Sequence, residues 1–444
     1  MKHTLIYMIA VLTLLSVTSC NRNESRLFDQ SADERLQARA EAIHDKLVDA
    51  PNGWEMLYFP YPDAAGYAFL MKFLDNGDVV IAAKNTVSSE NILRSESSCW
   101  GIDATQSVVL TFHTYNTIFS IFADPQGDGI GENGDYEFIL LNAEDGEDYI
   151  RMKGKKHEAY MRMNQLAEDV DWRQYLLDID ALRAKTFTDN DGTEMIYWDG
   201  ANERTLTYSN GRFLFKENKE EQERGFILTP SGMHFYSGLL RADQKTYAQD
   251  FVLVDEEDRT LLKTEDGEAW IGSKYTAADF FAYKFTKYSR WMYVAEDSDD
   301  ETQAAVQAIL DAAKANGATI NNIGYERVTT VTSRSGGQEV RTYTYAMYIS
   351  YLAEGKQFGG RINLNHSNID DVLTFSYKSY EQPLLPLFAR IADTPAAAAA
   401  LFTDAFCGTF RPESYCGSTL NLTQLLLKDA DGTTIHVKAD KIVM

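Results

Sequence analysis

Paired turn residues place the strongest constraint on what this chain can fold into. Asn-Gly occurs at Asn52, Asn76, Asn133, Asn210 and Asn316, and Asp-Gly at Asp128, Asp145, Asp191, Asp199, Asp266 and Asp431. Such pairs accept positive φ at both central positions of a tight turn, so they favour hairpins. Between them lie short runs rich in aromatic and β-branched residues, at 67–73, 79–83, 108–112, 136–141, 226–228, 251–254, 343–351 and 373–377. The pattern predicts a β-dominated α+β chain, built of antiparallel meanders and hairpins with a few helices.

The helices announce themselves by their caps. Ser31 and Glu34 make a capping box ahead of Leu36, Ala40, Ile43 and Leu47. Asp300 and Gln303 open a second helix carrying Val306, Ile309, Leu310 and Ala313, which Asn316-Gly317 ends. Thr394-Pro395 starts a third that runs through an alanine block to Gly408. A fourth, over 166–184, rests on Val170, Trp172, Leu176, Ile179 and Leu182. At 444 residues the chain is too long for one core. Boundaries near 185 and 290 give a helix plus β-meander domain (28–185), an antiparallel β domain (186–290) and an α+β domain (291–444). The acidic run 296–301 reads as the linker into the last. FILL at 138–141 and FILT at 226–229 hint at related β units.

Residues 1–20, MKHTLIYMIAVLTLLSVTSC, read as an export signal. A basic start and a short apolar run end in small residues before Cys20, the pattern of a lipoprotein cleavage site. The expectation is lipidation at Cys20, a polar tether over 21–27 and a body held at a membrane by acyl chains. With a formal net charge of −24, nucleic acid is not an expected partner. Cys407 and Cys416 flank a Gly/Pro-containing stretch and form the candidate disulfide of an exported chain. Cys99, beside Trp100, reads as a buried thiol.

No nucleotide-binding glycine loop, GxSxG elbow or zinc-ligand cluster is present in the sequence. His157-Glu158 resembles the start of HExxH, but the fifth position is Met161. One loop gathers Asp124, Asp128, Glu132 and Asp135 among glycines, a set of oxygen ligands suited to calcium, with a plain Gly-rich β connection as the favoured reading. Trp54, Tyr58, Tyr61, Trp100, Tyr197, Trp198 and Trp291 are candidate stacking faces for sugars or peptides, or core residues.

The stretches FDQSADERL (28–36), APNGWEMLYFP (50–60) and GYAFLMKFLDNGDV (66–79) carry a family resemblance. LTFHTYNTIFSIFADP (110–125), GENGDYEFILL (131–141) and FILTPSGMHFY (226–236) continue it in order. The chain resembles the Bacteroides-type lipoproteins catalogued as domain of unknown function 4302. The resemblance implies an outer-membrane lipoprotein, displayed on the cell surface. Its implied neighbours are a TonB-dependent transporter and a lid lipoprotein. It implies no catalytic residues. Only Glu24 is acidic just after the cysteine, where surface-displayed relatives carry an acidic cluster. Three functional readings follow: a non-catalytic accessory capturing a peptide or glycan, a structural subunit of an outer-membrane assembly, and a surface hydrolase using paired carboxylates.

Overall fold

The computed structural model describes residues 30–84, 93–123, 125–127, 130–131, 133–142, 148–187, 194–217, 219–256, 259–284, 289–335 and 338–440. Among them, antiparallel strands close into three eight-stranded barrels, with one small two-stranded sheet beside them. The first barrel runs from Trp54–Tyr58 to Tyr160–Gln165, the second from Glu194–Trp198 to Trp270–Ser273, and the third from Ser289–Val294 to Thr434–Asp440. In each, successive barrel strands are neighbours and the last pairs with the first, an up-and-down meander that leaves no open sheet edge.

Helical turns precede each barrel: α1 (Ala32–Asp49), α2 (Trp172–Thr186), and α3 (Ala277–Asp279), which runs into a π turn at Phe280–Lys284. The Ser31–Glu34 capping box forms, and Ala40, Ile43 and Leu47 are buried. Helix α2 starts at Trp172, later than periodicity suggests, because Asp171 accepts from the Gln174 amide and caps it there. The third barrel also carries α4 (Asp300–Ala315), α5 (Leu385–Ile391) and α6 (Pro395–Phe406). No single helix among the described residues is long and apolar enough to cross a membrane. Helices α5 and α6 are apolar because Leu387, Phe388, Phe402 and Phe406 join the third barrel's core.

Chain compactness divides the protein differently from sheet closure. One unit comprises Met1–Met56, Phe69–Ala82 and Arg94–Asp169; the other comprises Leu57–Ala68, Ala83–Leu93 and Val170–Met444. The second and third barrels therefore share a unit. The run 296–301 is no linker, because it lies inside the third barrel's sequence. Its Asp299 caps α4 through the Thr302 amide and accepts from the Thr434 amide of the last strand. FILL and FILT are not equivalent either. The first falls in the sixth strand of its barrel and the second in the fourth.

An eight-stranded barrel has an interior that side chains fill. Here aromatic rings do so. Phe213, Phe226, Phe235 and Phe251 occupy the second barrel, with Phe187 after α2 stacked on Tyr208 at 4.1 Å. In the third, Phe281 of the π turn packs on Trp291, Tyr325 and Tyr345. With these two cores occupied, the surfaces open to a ligand there are the outer faces and rims.

Candidate functional site

Cys20, Asp124, Asp128 and Glu132 lie outside the described residues. Asp135 is buried, and its carboxylate accepts the Lys156 and His157 amides at 3.1 and 2.8 Å. It thus caps the turn at His157-Glu158, where Glu158 takes φ 62° and no helix forms. Among the described residues no group of three His, Cys, Asp or Glu side chains is placed to hold a metal ion. Asp135→Ala is expected to cost about 1–3 kcal/mol by leaving two inward-facing amides without their acceptor. Urea unfolding checks this, and a change under about 0.5 kcal/mol would refute the capping role.

The candidate disulfide does not form: Cys407 and Cys416 are both free thiols. The strand Gly408–Ser414 runs between them. At about 3.3 Å per residue it separates them by roughly 20 Å or more, against the ~7 Å limit for bridged Cα atoms. Burial pushes the Cys407 thiol up to about 12, and the nearby Asp404 adds to the shift. Cys99 is exposed, contrary to expectation, because its side chain lies on the outer side of its strand.

Most of the candidate stacking aromatics are core residues. Trp54, Tyr58, Trp100, Tyr197 and Trp291 are buried. The Trp54 indole donates to the Leu47 carbonyl of α1, and Tyr197 is held to Leu239 O. Tyr61 accepts from Arg212, and Trp198 stacks on Trp270. None of the seven presents an exposed ring.

The surface that does so lies on the second barrel. Strand Tyr247–Asp255 is nine residues long, and its neighbour Thr260–Lys263 only four. The two pair only over Val252–Asp255, so the earlier half of the long strand runs past the end of the short one. What ends the short strand is the turn after it. Thr264 Oγ1 donates to Asp266 Oδ1 at 2.6 Å, Asp266 accepts the Glu268 amide, and Gly267 takes φ 71°. On the other side, strand Gly232–Leu240 bulges between His234 and Leu239, with Gly238 at φ 75°. Bulges re-aim side chains at the rims of barrels.

The result is an open cleft of about 520 Å³ lined by Arg241, Tyr247, Gln249, Asp250, Thr264 and the acidic pair Glu265-Asp266. Tyr247 is half exposed. Arg241 Nη1 donates to Asp266 Oδ2 at 2.7 Å, and Glu268 stands 3.5 Å from the same nitrogen. Gln249 Nε2 donates to Tyr236 O. His234 Nδ1 meets Asp250 Oδ1 at 2.7 Å. The Thr264 hydroxyl, then the Glu268 amide and Arg241, hold the Asp266 carboxyl down at about 2. Asp266 is therefore held as a carboxylate, an acceptor and a negative charge rather than a proton donor. Sequence reasoning marked Asp266-Gly267 as a turn but assigned the cleft no role. The missing signal was the unequal length of adjacent strands.

A family model described as "Domain of unknown function (DUF4302)" matches residues 24–253, which is more than half of the chain. No curated protein matches. Among solved structures, the Helicobacter pylori beta clamp bound to a DNA ligase peptide aligns at 10% identity over 92% of this chain and 98% of that one. Its TM-score of 0.13 is too low to carry any argument about fold or function.

Proposed function

Because the chain belongs to the DUF4302 family, whose function is unknown, we propose a role from its own residues: a lipid-anchored, non-catalytic capture protein of the outer membrane. The cleft at Tyr247 is its recognition surface. The observation that carries this reading is the half-exposed tyrosine set among outward-facing acceptors where one barrel strand overhangs the next. A partly exposed aromatic ring with a small set of oriented polar groups is the usual make-up of a ligand surface. The 1–20 segment ending at Cys20 supports the anchor. The aromatic filling of the second barrel supports a ligand held on the outside rather than within.

In this role the protein presents a nutrient at the cell surface to a TonB-dependent transporter and its lid lipoprotein. The test uses tagged full-length protein in its own cells. Wild type is expected in the outer-membrane fraction with an incorporated fatty-acid label, and Cys20→Ser is expected to lose the label and leave that fraction. A gentle-detergent pull-down of the wild type is expected to recover the transporter. Unlabelled wild-type protein would end the anchor reading. Recovery of no transporter would end the uptake reading.

A further inference from the structure

The first barrel carries a face whose charge is opposite to that of the chain. Residues 151–162 read RMKGKKHEAYMR, five Lys or Arg against one Glu, in a chain with 42 basic and 66 acidic residues. The strands Tyr149–Gly154 and Tyr160–Gln165 pair along this run. Ile150, Met152, Met161 and Met163 are buried, so the alternation of a strand turns Arg151, Lys153, Tyr160 and Arg162 outward. Tyr149 and Asn164 complete the outward positions, and no carboxylate is among them. Arg151 stands directly opposite Arg162, and Lys153 opposite Tyr160. The Lys153 ammonium lies 5.8 Å over the Tyr160 ring, which is 57% exposed. Lys155 and Lys156, in the turn between the strands, are exposed as well.

Carboxylates reach this face from its margins. Glu158 meets Lys153 at 3.1 Å, and Glu137 meets Lys155 at 3.0 Å. Arg151 is exposed and has no carboxylate partner among the described residues. Like charges directly opposite on an antiparallel pair repel, so the two arginines cost stability until an anion lies over them. The acids elsewhere on the chain weaken this local field little, because exposed charges more than about 8 Å apart are largely screened at physiological salt.

We infer that this face binds an acidic polysaccharide. Its carboxylate or sulfate groups are held by Arg151, Lys153 and Arg162, and a sugar ring rests on Tyr160. The cations are spread over two strands and a turn, which suits a chain of anionic groups better than a single ion. The exposed ring beside them favours a sugar polymer over a lipid headgroup, since an aromatic face stacks on the apolar face of a sugar. The surface is separate from the Tyr247 cleft, and the inference does not rest on the reading of that cleft.

Titration calorimetry on the purified full chain tests it, with trigalacturonate, maltotriose and phosphatidylglycerol vesicles as probes. Trigalacturonate is expected to bind, more weakly as salt rises, and maltotriose at least about tenfold more weakly. Arg151→Gln and Tyr160→Ala are each expected to weaken trigalacturonate about tenfold. Arg151→Gln should also leave the melting temperature unchanged or raise it by about a degree, because it removes half of the like-charge pair. Lys314→Gln, on α4, makes the same change in net charge and is expected to alter no binding. If Arg151→Gln lowers the melting temperature and leaves binding unchanged, the arginine is structural and the inference falls. It falls equally if trigalacturonate gives no heat at low salt, or if Lys314→Gln weakens it as much as Arg151→Gln does. Vesicle binding that depends on Arg151, with trigalacturonate silent, would overturn it by making the face a membrane contact.

Discussion

Glu326→Gln is expected to destabilise the third barrel by about 3 kcal/mol, because it removes the one carboxylate between two guanidiniums. Glu326 is 1% exposed although it sits on the outer face of its strand, next to the inward Tyr325. Arg290 on the preceding strand donates from Nε to Oε1 at 2.9 Å, and Arg361 donates from Nε to Oε2. The two arginines bury the acid between them. Arg290 also lies 3.6 Å over the ring of Tyr348, and Arg361 reaches Glu381 at 3.6 Å. Glu326 therefore ties its own strand to the preceding one and, across the sheet, to the strand of Arg361. An exposed ion pair contributes less than about 1 kcal/mol, because water screens it and the side chains lose freedom. Breaking a buried one leaves a charge without its counterpart, which is the larger effect. The arginine side chains are 22% and 32% exposed, so water relieves part of the loss, and the estimate sits at the low end of the buried range. Thermal unfolding should show a drop of about 6–10 °C in the transition of the unit that holds the second and third barrels. Glu326→Leu combined with Arg290→Met and Arg361→Met should recover most of it, since the apolar replacement leaves no buried charge unpaired and Glu381, which loses Arg361, is 35% exposed and hydrated. A Glu326→Gln variant that melts within a degree of wild type would show the triad to be no more than a surface network.

What the sequence disclosed and what it withheld differ by the range of the interaction responsible. Asn210-Gly211 was readable as a tight turn, and it takes φ 47° and 76° between two paired strands, because a turn is decided by its own two residues. The capping box of α1 and the Thr394 cap of α6 were readable for the same reason. Closure of the strands into barrels was not. It depends on twist and stagger summed around eight strands, and no local pattern records that. The run TAADFFAYKF at 276–285 illustrates the limit. Its aromatics look like strand residues, yet Thr276 caps a short helix through the Asp279 amide, and Phe281 is delivered into the third barrel's core. The cleft was hidden in the same way. Arg241, Tyr247 and Asp266 belong to a strand-end turn, a strand and a second turn. Only the pairing register shows that the middle one overhangs its neighbour. The candidate disulfide failed for the converse reason, since nearness in sequence across an extended strand is distance in space.

Gly225→Ala should be the sharpest test of how the segment Leu57–Ala68 is held within its unit, of which it is part together with the second barrel. A Cβ added at Gly225 would lie 1.7 Å from the Ala64 carbonyl oxygen and 2.7 Å from that of Asp63. Both obstacles are backbone, so no side-chain rotation relieves them. The backbone angle at Gly225 is not in the left-handed region, so the substitution strains nothing else. The neighbourhood repeats the arrangement. A Cβ at Gly66 would meet Ile227 at 2.3 Å, and one at Gly211 would meet Ala65 at 2.7 Å. Close approach then allows the Gly66 amide to donate to Phe226 O, Asp63 to accept from Ser237 Oγ, and Phe59 to pack edge-on to Tyr236 at 5.2 Å. Alanine at 225 must either push the segment off or bend the strand under it, at an expected cost of about 3 kcal/mol, the upper end for an overpacked site. Amide hydrogen exchange separates the two responses. Undocking should raise exchange across 57–68 while the core of the second barrel keeps its protection. Gly267→Ala is the control, since no atom lies within 4 Å of its added Cβ and only the positive φ is strained. Its cost should stay near 1 kcal/mol, with no change at 57–68. If Gly225→Ala leaves both stability and that exchange unchanged, the segment is not in backbone contact with the strand, and its hydrogen bonds to Phe226 and Ser237 cannot be what holds it.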